Sequence, residues 1–320
     1  MKQPASAIKA KAPTVGVIDL GSNSIKLLVA SLDKRGHIRP IFYKSEDTRI
    51  AQASGVVCLS AEAIDAAAYS VQKLYNAMLK QFQPQAIHIV GTSAVRDAAN
   101  KDLLCAKIKD LTGLPLRVLS GEEEALAIAQ GVQLDPQLQS MPAFTVFDLG
   151  GGSLELMHLE QGSVRQALSL PLGAVRLMED CVAHPERALS SEEANTIAFR
   201  VKESIINSNF NFLTANYSKS ESAPPLIGTG GAMTILKNTL GDHPPFFKDL
   251  SLYDLFIKVA SADLKTRIHR YQIPPKRADI FPTALAIILT ILQLSQNDRV
   301  YHSYYSLRFG IAYQLLQSLG

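Results

Sequence analysis

Beginning at Thr14, the apolar positions fall into short runs separated by polar turns. Val15-Gly16-Val17-Ile18 predicts a short buried strand that ends at Asp19. Gly21-Ser22-Asn23-Ser24 is a turn, Ile25 to Ala30 a second strand, and Asp33-Lys34-Arg35-Gly36 a hairpin into a third. Ser60 opens a helix that runs to about Gln81. Ala86 to Val90 is a strand followed by Gly91-Thr92-Ser93-Ala94, and a helix near 100–112 leads to the strand Arg117-Val118-Leu119. Ser120-Gly121-Glu122-Glu123 matches a capping box, with Ser120 as N-cap and Glu123 at the third helical position, and that helix runs to about Gln133. Asp135 to Pro142 is polar and contains proline, which makes it the candidate domain boundary.

The opening then repeats. Phe144-Thr145-Val146-Phe147 is an apolar strand ending at Asp148, Gly150-Gly151-Gly152-Ser153 is the turn, and Leu154 to Leu159 is the returning strand. Asp19-Leu20-Gly21-Ser22-Asn23-Ser24 and Asp148-Leu149-Gly150-Gly151-Gly152-Ser153 share four of six positions. Two related β-rich units, each with a loop at the end of its first strand, are expected to face each other across a cleft. Beyond the repeat the pattern is mainly helical, at roughly 191–214, 232–240, 251–272, 277–294 and 306–318, with a lone strand Leu226-Ile227 before Gly228-Thr229-Gly230-Gly231. The expected organisation is a loose tail over 1–13, a first domain over 14–137 and a second over 138–320. The last helix, about 306–320, is placed to pack back on the first domain.

Composition narrows the function. The chain has 320 residues, 47% hydrophobic and 19% charged, enough for one large or two ordinary domains. A net charge of +3 argues against wholesale nucleic-acid binding but leaves room for a local basic cleft. Cys58, Cys105 and Cys181 are scattered without metal-ligand spacing and read as free thiols in a reducing compartment. No apolar signal segment follows Lys2, Lys9 and Lys11, and the longest apolar run, Thr283 to Leu294, is too short to span a bilayer. The expectation is a cytoplasmic chain with no membrane partner.

The loops suit phosphate. Glycine lets the backbone come close to an anion and aim successive N–H groups at one point. Ser22, Ser24 and Ser153 can add hydroxyl donors. Asp19 and Asp148 end buried strands, where a carboxylate can hold Mg²⁺ with water attached, and Glu155 is a third carboxylate for the same ion. Neither loop is a Walker loop or a dinucleotide fingerprint. Hydrolysis needs a base for water, and Glu122, Glu123 and Glu124 are candidates, with Glu123 already committed to the cap. Arg96, Arg176, Arg308 and the Lys276-Arg277 pair are cations available to balance substrate charge. The Gly228–Gly231 turn opens a helix, itself an anion site. His88, in an apolar strand, reads as a core residue.

Taken in order, Asp19–Ser24, Gly91-Thr-Ser-Ala-Val-Arg96, Ser120-Gly-Glu-Glu-Glu-Ala125, Asp148-Leu-Gly-Gly-Gly-Ser-Leu-Glu155, Leu172-Gly-Ala-Val-Arg176 and Gly228–Gly231 closely resemble the exopolyphosphatase / guanosine pentaphosphate phosphohydrolase family. The resemblance implies an α/β fold of two ribonuclease-H-like domains of the actin–hexokinase–Hsp70 superfamily, with the active site between them. It implies Mg²⁺ (or Mn²⁺)-dependent attack of water on a terminal phosphoryl group of polyphosphate or guanosine penta/tetraphosphate. Glu124 matches the family's base, and Ser22, Asn23, Ser24, Arg96, Gly150, Gly151, Gly152 and Ser153 match its phosphate ligands. Asp148 and Glu155, with Asp19, match its metal site. Family members are often dimers, so a homodimer is a further implication. Leu307-Arg308-Phe309-Gly310 departs from the family's ending, with Phe309 where an acid is usual. Competing readings are an ATP-dependent kinase of the same superfamily, a sensor that binds these ligands without turnover, and an actin-like filament protein.

Overall fold

A computed structural model describes residues 12–50, 58–214, 223–241 and 246–319. The tail expected over 1–13 lies mostly outside them. Strands β1 (Thr14–Leu20), β2 (Ser24–Leu32), β3 (Ile38–Asp47), β4 (Ala86–Gly91) and β5 (Leu116–Val118) form one sheet in the order β3-β2-β1-β4-β5. It carries helices α1 (Ala61–Gln81), α2 (Ser93–Arg96), α3 (Lys101–Thr112) and α4 (Gly121–Gln133). Strands β6 (Ala143–Leu149), β7 (Leu154–Glu160), β8 (Ser163–Leu170), β9 (Leu226–Gly230), β10 (Phe246–Lys248) and β11 (Arg299–His302) form a second sheet, β10-β11-β9-β6-β7-β8. Its helices are α5 (Ala174–Cys181), α6 (Ser191–Asn207), α7 (Asn211–Thr214), α8 (Gly231–Leu240), α9 (Asp249–Ala260), α10 (Leu264–His269) and α11 (Phe281–Leu294). The last helix is α12 (Leu307–Ser318).

Leaving β10 aside, the two sheets have one topology. β1 pairs antiparallel with β2 and parallel with β4, as β6 pairs antiparallel with β7 and parallel with β9. The internal repeat is therefore a repeat of structure, and it puts two equivalent hairpins at equivalent sheet ends.

Several expected elements are subdivided. The helix expected over 191–214 ends at Asn207, because Asn209 turns to φ 58° before α7 begins. The one expected over 251–272 stops at Ala260 and restarts at Leu264, where the Asp263 side chain accepts from Thr266 N as a new N-cap. The one expected from 277 begins at Phe281, with Pro282 in its first turn where a missing N–H costs nothing. Strands β10 and β11 had no periodic signal, since three or four residues are too few to show alternation. The apolar run at 283–294 lies in α11, whose residues are mostly buried. Among the described residues no helix is long and apolar enough to cross a membrane.

The two sheets share a core. Val15, Val17 and Leu28 from the first, Val146, Met157 and Leu159 from the second, and the inner faces of α4 and α12 form one buried cluster. Phe309 belongs to it, 4% exposed and packed with its ring centroid 4.2 Å from that of Tyr305. An apolar ring fits this position, where a carboxylate would lose its hydration. The helices α4 and α12 cross so closely that a Cβ on Gly310 would collide with the Ala127 carbonyl oxygen, and one on Gly131 with that of Ser306. Backbone cannot yield as a flexible side chain does. Gly310→Ala is therefore expected to cost about 1–3 kcal/mol of stability, seen as a lowered midpoint in thermal unfolding.

Candidate active site

The hairpin turns are built alike. Gly21 N donates to Ser24 O at 3.1 Å and Gly150 N to Ser153 O at 3.0 Å. Two more carbonyls of each loop are tied back into the protein. Ser22 O accepts from Ile50 N at 2.9 Å, and Asn23 O from Thr48 N and Arg49 N. Gly150 O accepts from Ala174 N at 3.0 Å, and Gly151 O from Val175 N at 2.9 Å, at the start of α5. In a planar trans peptide the N–H points opposite to the C=O. Turning these carbonyls inward aims the N–H groups of Asn23, Ser24, Gly151 and Gly152 away from the scaffold, which makes each loop an anion cradle.

The loops meet. A Cβ on Gly151 would lie 2.9 Å from Ser22 Cβ, so bulk here would part the two turns. Between them is a cavity of about 100 Å³ whose charged walls are Asp19, Lys26, Glu124, Asp148, Glu155, Arg277 and Arg308. Ser22, Asn23, Ser24, Gly150 and Gly151 also line it, as do Gly230 and Gly231 at the start of α8. Gly230, at φ 98°, passes so close to Asp148 that a Cβ would stand 2.9 Å from Oδ1. A larger cavity of about 480 Å³ shares Ser22 and Gly151 and adds Gly152, Arg49 and Arg176.

Strand register decides which side chains oppose each other. Asp148 faces Glu155 across β6–β7, and the equivalent pair across β1–β2 is Asp19 and Lys26. The same two positions thus carry two carboxylates in one half and a carboxylate opposite a lysine in the other. Arg308, 4% exposed, donates from Nη1 to Asp19 Oδ2 at 2.8 Å, and also contacts the Tyr43 hydroxyl. Burial and the neighbouring Arg308 pull Lys26 down to about 8, against the opposing attraction of Asp19 and Asp148. Thr229 Oγ1 donates to Asp148 Oδ2 at 2.5 Å.

Glu124 sits on the first turn of α4, beside Glu123, whose carboxylate accepts from Ser120 N at 2.8 Å and completes the capping box. Glu124 is 6% exposed, and burial pushes its carboxyl up to about 7 against the pull of Arg96, whose Nη1 donates to Oε2 at 2.7 Å. Burial and repulsion from Glu124 and Asp148 raise Glu155 well above the carboxylate range, while Ser153 and Ser169 hydroxyls oppose that rise.

Most residues singled out from the sequence converge on this cavity. Four stand differently. Arg96 holds Glu124 and the Leu119 carbonyl and is not in the cavity wall. Gly152 faces the larger cavity, and Ser153 acts on Glu155. Asp19 is engaged by Arg308. Of the unplaced cations, Arg277 and Arg308 reach the cavity. With its amide oxygen turned toward the guanidinium, Asn23 accepts from Arg277 Nε at 2.6 Å. Arg176 instead spans the loops, bonding Gly152 O at 2.9 Å and Asp97 Oδ2 at 2.5 Å. Lys26 had been missed, although the repeat could have found it, since it lies seven positions after Asp19 as Glu155 does after Asp148. Thr229 lay inside the Gly228–Gly231 motif but without a role of its own, and Ser169 and Tyr43 carried no sequence signal.

Among the described residues no three His, Cys, Asp or Glu side chains group closely enough to hold a metal ion by themselves. Asp148 and Glu155, opposed in register, supply the one or two carboxylate oxygens with which Mg²⁺ is usually held when substrate phosphates and water complete its shell. The donor set fits that ion.

Paired hairpins from two sheets of one topology, meeting at a charged cavity, define an actin-like fold. An exopolyphosphatase from Cytophaga hutchinsonii has this fold, with TM-score 0.83 at 22% identity over 95% of this chain and 98% of that one. A PPX-GPPA enzyme of Aquifex aeolicus matches with TM-score 0.75 at 22% identity over 95% and 100% of the two chains. Over residues 28–319 the sequence matches the Ppx/GppA phosphatase family, and the chain belongs to it. Guanosine-5'-triphosphate,3'-diphosphate pyrophosphatases of Vibrio vulnificus and Vibrio parahaemolyticus are 27% and 26% identical to it over 311 residues. That alignment covers 96% of this chain but 60% of each relative, so the chain spans about three-fifths of their length.

Removing one partner of the buried Asp19–Arg308 pair strands a charge, which typically costs about 3–5 kcal/mol. Arg308→Met is expected to lose close to the lower figure, because Lys26 still faces Asp19. Asp19→Asn combined with it should recover part of the loss in denaturant unfolding.

Proposed function

We propose that this chain hydrolyses phosphoanhydride bonds, releasing the terminal phosphate of inorganic polyphosphate or of guanosine pentaphosphate as an exopolyphosphatase / guanosine pentaphosphate 5'-phosphohydrolase. The observation that carries the reading is Glu124, a buried carboxyl pushed to about 7 in the wall of a cavity built from two phosphate loops. A base poised near neutrality can both take a proton from water and be regenerated.

The terminal phosphoryl group sits between the Ser22–Ser24 and Gly150–Ser153 loops. Backbone N–H groups, Lys26 and Arg277 bind its oxygens, and their fixed placement stabilises the charge that spreads over them in the transition state. Glu124 orients a water and accepts its proton as the oxygen attacks phosphorus in line and the bond to the bridging oxygen breaks. The products are inorganic phosphate and a chain shorter by one unit. Arg96 keeps Glu124 aimed at the cavity. When bound, Mg²⁺ (or Mn²⁺) held by Asp148 and Glu155 supplies charge neutralisation at the phosphate oxygens. Family membership supports the reaction class.

The test is phosphate release, with Mg²⁺, from polyphosphates of several lengths and from guanosine pentaphosphate. Glu124→Gln is expected to lower turnover by two orders of magnitude or more while binding persists. Wild-type protein that binds these ligands and releases nothing defeats the hydrolase reading in favour of a sensor. The base also sets a pH dependence. It works deprotonated, so kcat/KM should fall about tenfold per pH unit below about 7. Arg96→Met removes the charge that favours the ionised form, so the same limb should move to higher pH.

A further inference from the structure

Strand β8 is an edge of the second sheet, and most of its side chains are exposed or half-buried. One of them points inward to a charged group. Ser169 is the register partner of Glu155 across β7–β8, so the two share a face of the sheet. Its hydroxyl donates to Glu155 Oε1 at 2.7 Å. Its other side meets α4. A Cβ on Gly121 would lie 2.8 Å from Ser169 Cβ and 3.3 Å from its Oγ, so only glycine lets the helix come down onto the serine. Gly121 is the first residue of α4 and stands three positions before Glu124.

Ser169 therefore lies between the two carboxylates. On one side a hydrogen bond fixes Glu155, and on the other a backbone contact seats the rigid first turn that carries Glu124. The carboxylates repel each other, and side chains free to move would separate. We propose that Ser169 is a positioning residue for the hydrolysis, a strut that sets the distance and direction between Glu155 and Glu124. Ser169 itself lines neither cavity. The assignment rests on the reading of Glu124 as the base and Glu155 as a metal ligand. It also accounts for Gly121, which no capping or turn requirement explains, since the N-cap of α4 is Ser120 and Gly121 has ordinary helical backbone.

Ser169→Ala is the decisive variant because it keeps the Cβ that meets Gly121 and removes only the hydroxyl. Wild type and Glu124→Gln are measured first, followed by Ser169→Ala and Ser169→Thr. The readouts are steady-state phosphate release, calorimetric binding of tripolyphosphate in EDTA, calorimetric binding of Mn²⁺ to the substrate-free protein, and thermal melting. Ser169→Ala is expected to lower kcat at least tenfold and weaken Mn²⁺ binding at least threefold. Its tripolyphosphate Kd and melting temperature should stay close to wild type. Ser169→Thr, which keeps the hydroxyl, should retain most of the turnover. A Ser169→Ala protein with kcat within twofold of wild type overturns the proposal, as does a Ser169→Thr protein as slow as the alanine variant. A tripolyphosphate Kd that rises as far as kcat/KM falls also overturns it, by making Ser169 a phosphate ligand. If wild type releases no phosphate, the hydrolase reading fails, and unchanged Mn²⁺ affinity in Ser169→Ala then removes the strut as well.

Discussion

Four carboxylates, Asp19, Glu124, Asp148 and Glu155, line one small cavity and are largely buried. Burying charge costs several kcal/mol per group unless the field of neighbouring groups offsets it. Asp19 is matched by Arg308 and Glu124 by Arg96, while Lys26 lies in the field of both Asp19 and Asp148. Asp148 and Glu155 are held by the hydroxyls of Thr229, Ser153 and Ser169, and burial raises both. The charge is thus compensated unevenly. It is well compensated on the side of the first hairpin and poorly on the side of the second, where a divalent cation carried by a phosphate chain would find its oxygens.

That asymmetry grows from symmetry. The two sheets repeat one topology and one hairpin, down to the glycine N–H that closes each turn. A lysine stands in the first half where the second has a glutamate. This difference at equivalent register positions makes the first side of the cavity more cationic and the second more acidic. The ends of the parallel strands contribute in the same way, with Thr92 after β4 and Gly230-Gly231 after β9 both bordering the cavity.

The helix that carries Glu124 depends on contacts far from the cavity. Helix α4 is gripped by α12 through backbone-to-backbone approaches at Gly131 and Gly310, and both helices share a core with both sheets. Across the mouth of the cleft, Arg49 pairs with Asp279 at 2.6 Å and Arg176 with Asp97 at 2.5 Å, and the Lys276 ammonium reaches Asp47 O at 2.8 Å. Each joins residues of one sheet's half to the other. They hold the loops in contact and keep the cavity small.

What the sequence determined by itself was local. Strands ending at Asp19 and Asp148, glycine turns after them, and the capping box at Ser120 are all written in a few adjacent residues, because backbone sterics and caps act over one turn. The repeat and the ordered motifs extended this to the family fold and to the pool of carboxylates. The capping argument set Glu123 aside and left Glu122 and Glu124 open, and burial then sets Glu124 apart, 6% exposed. Only tertiary structure decided which groups meet. Lys26, Arg277, Arg308, Thr229 and Ser169 reach the site from separate elements, up to hundreds of positions apart, through strand register and helix crossing. Arg96 shows the limit well. Its motif matches a phosphate ligand, yet its partner in the fold is Glu124, 28 residues on, because the chain between them folds back through α3 and β5. Interactions of that span have no signature in neighbouring residues, since their energy depends on distances that exist only once the chain is packed.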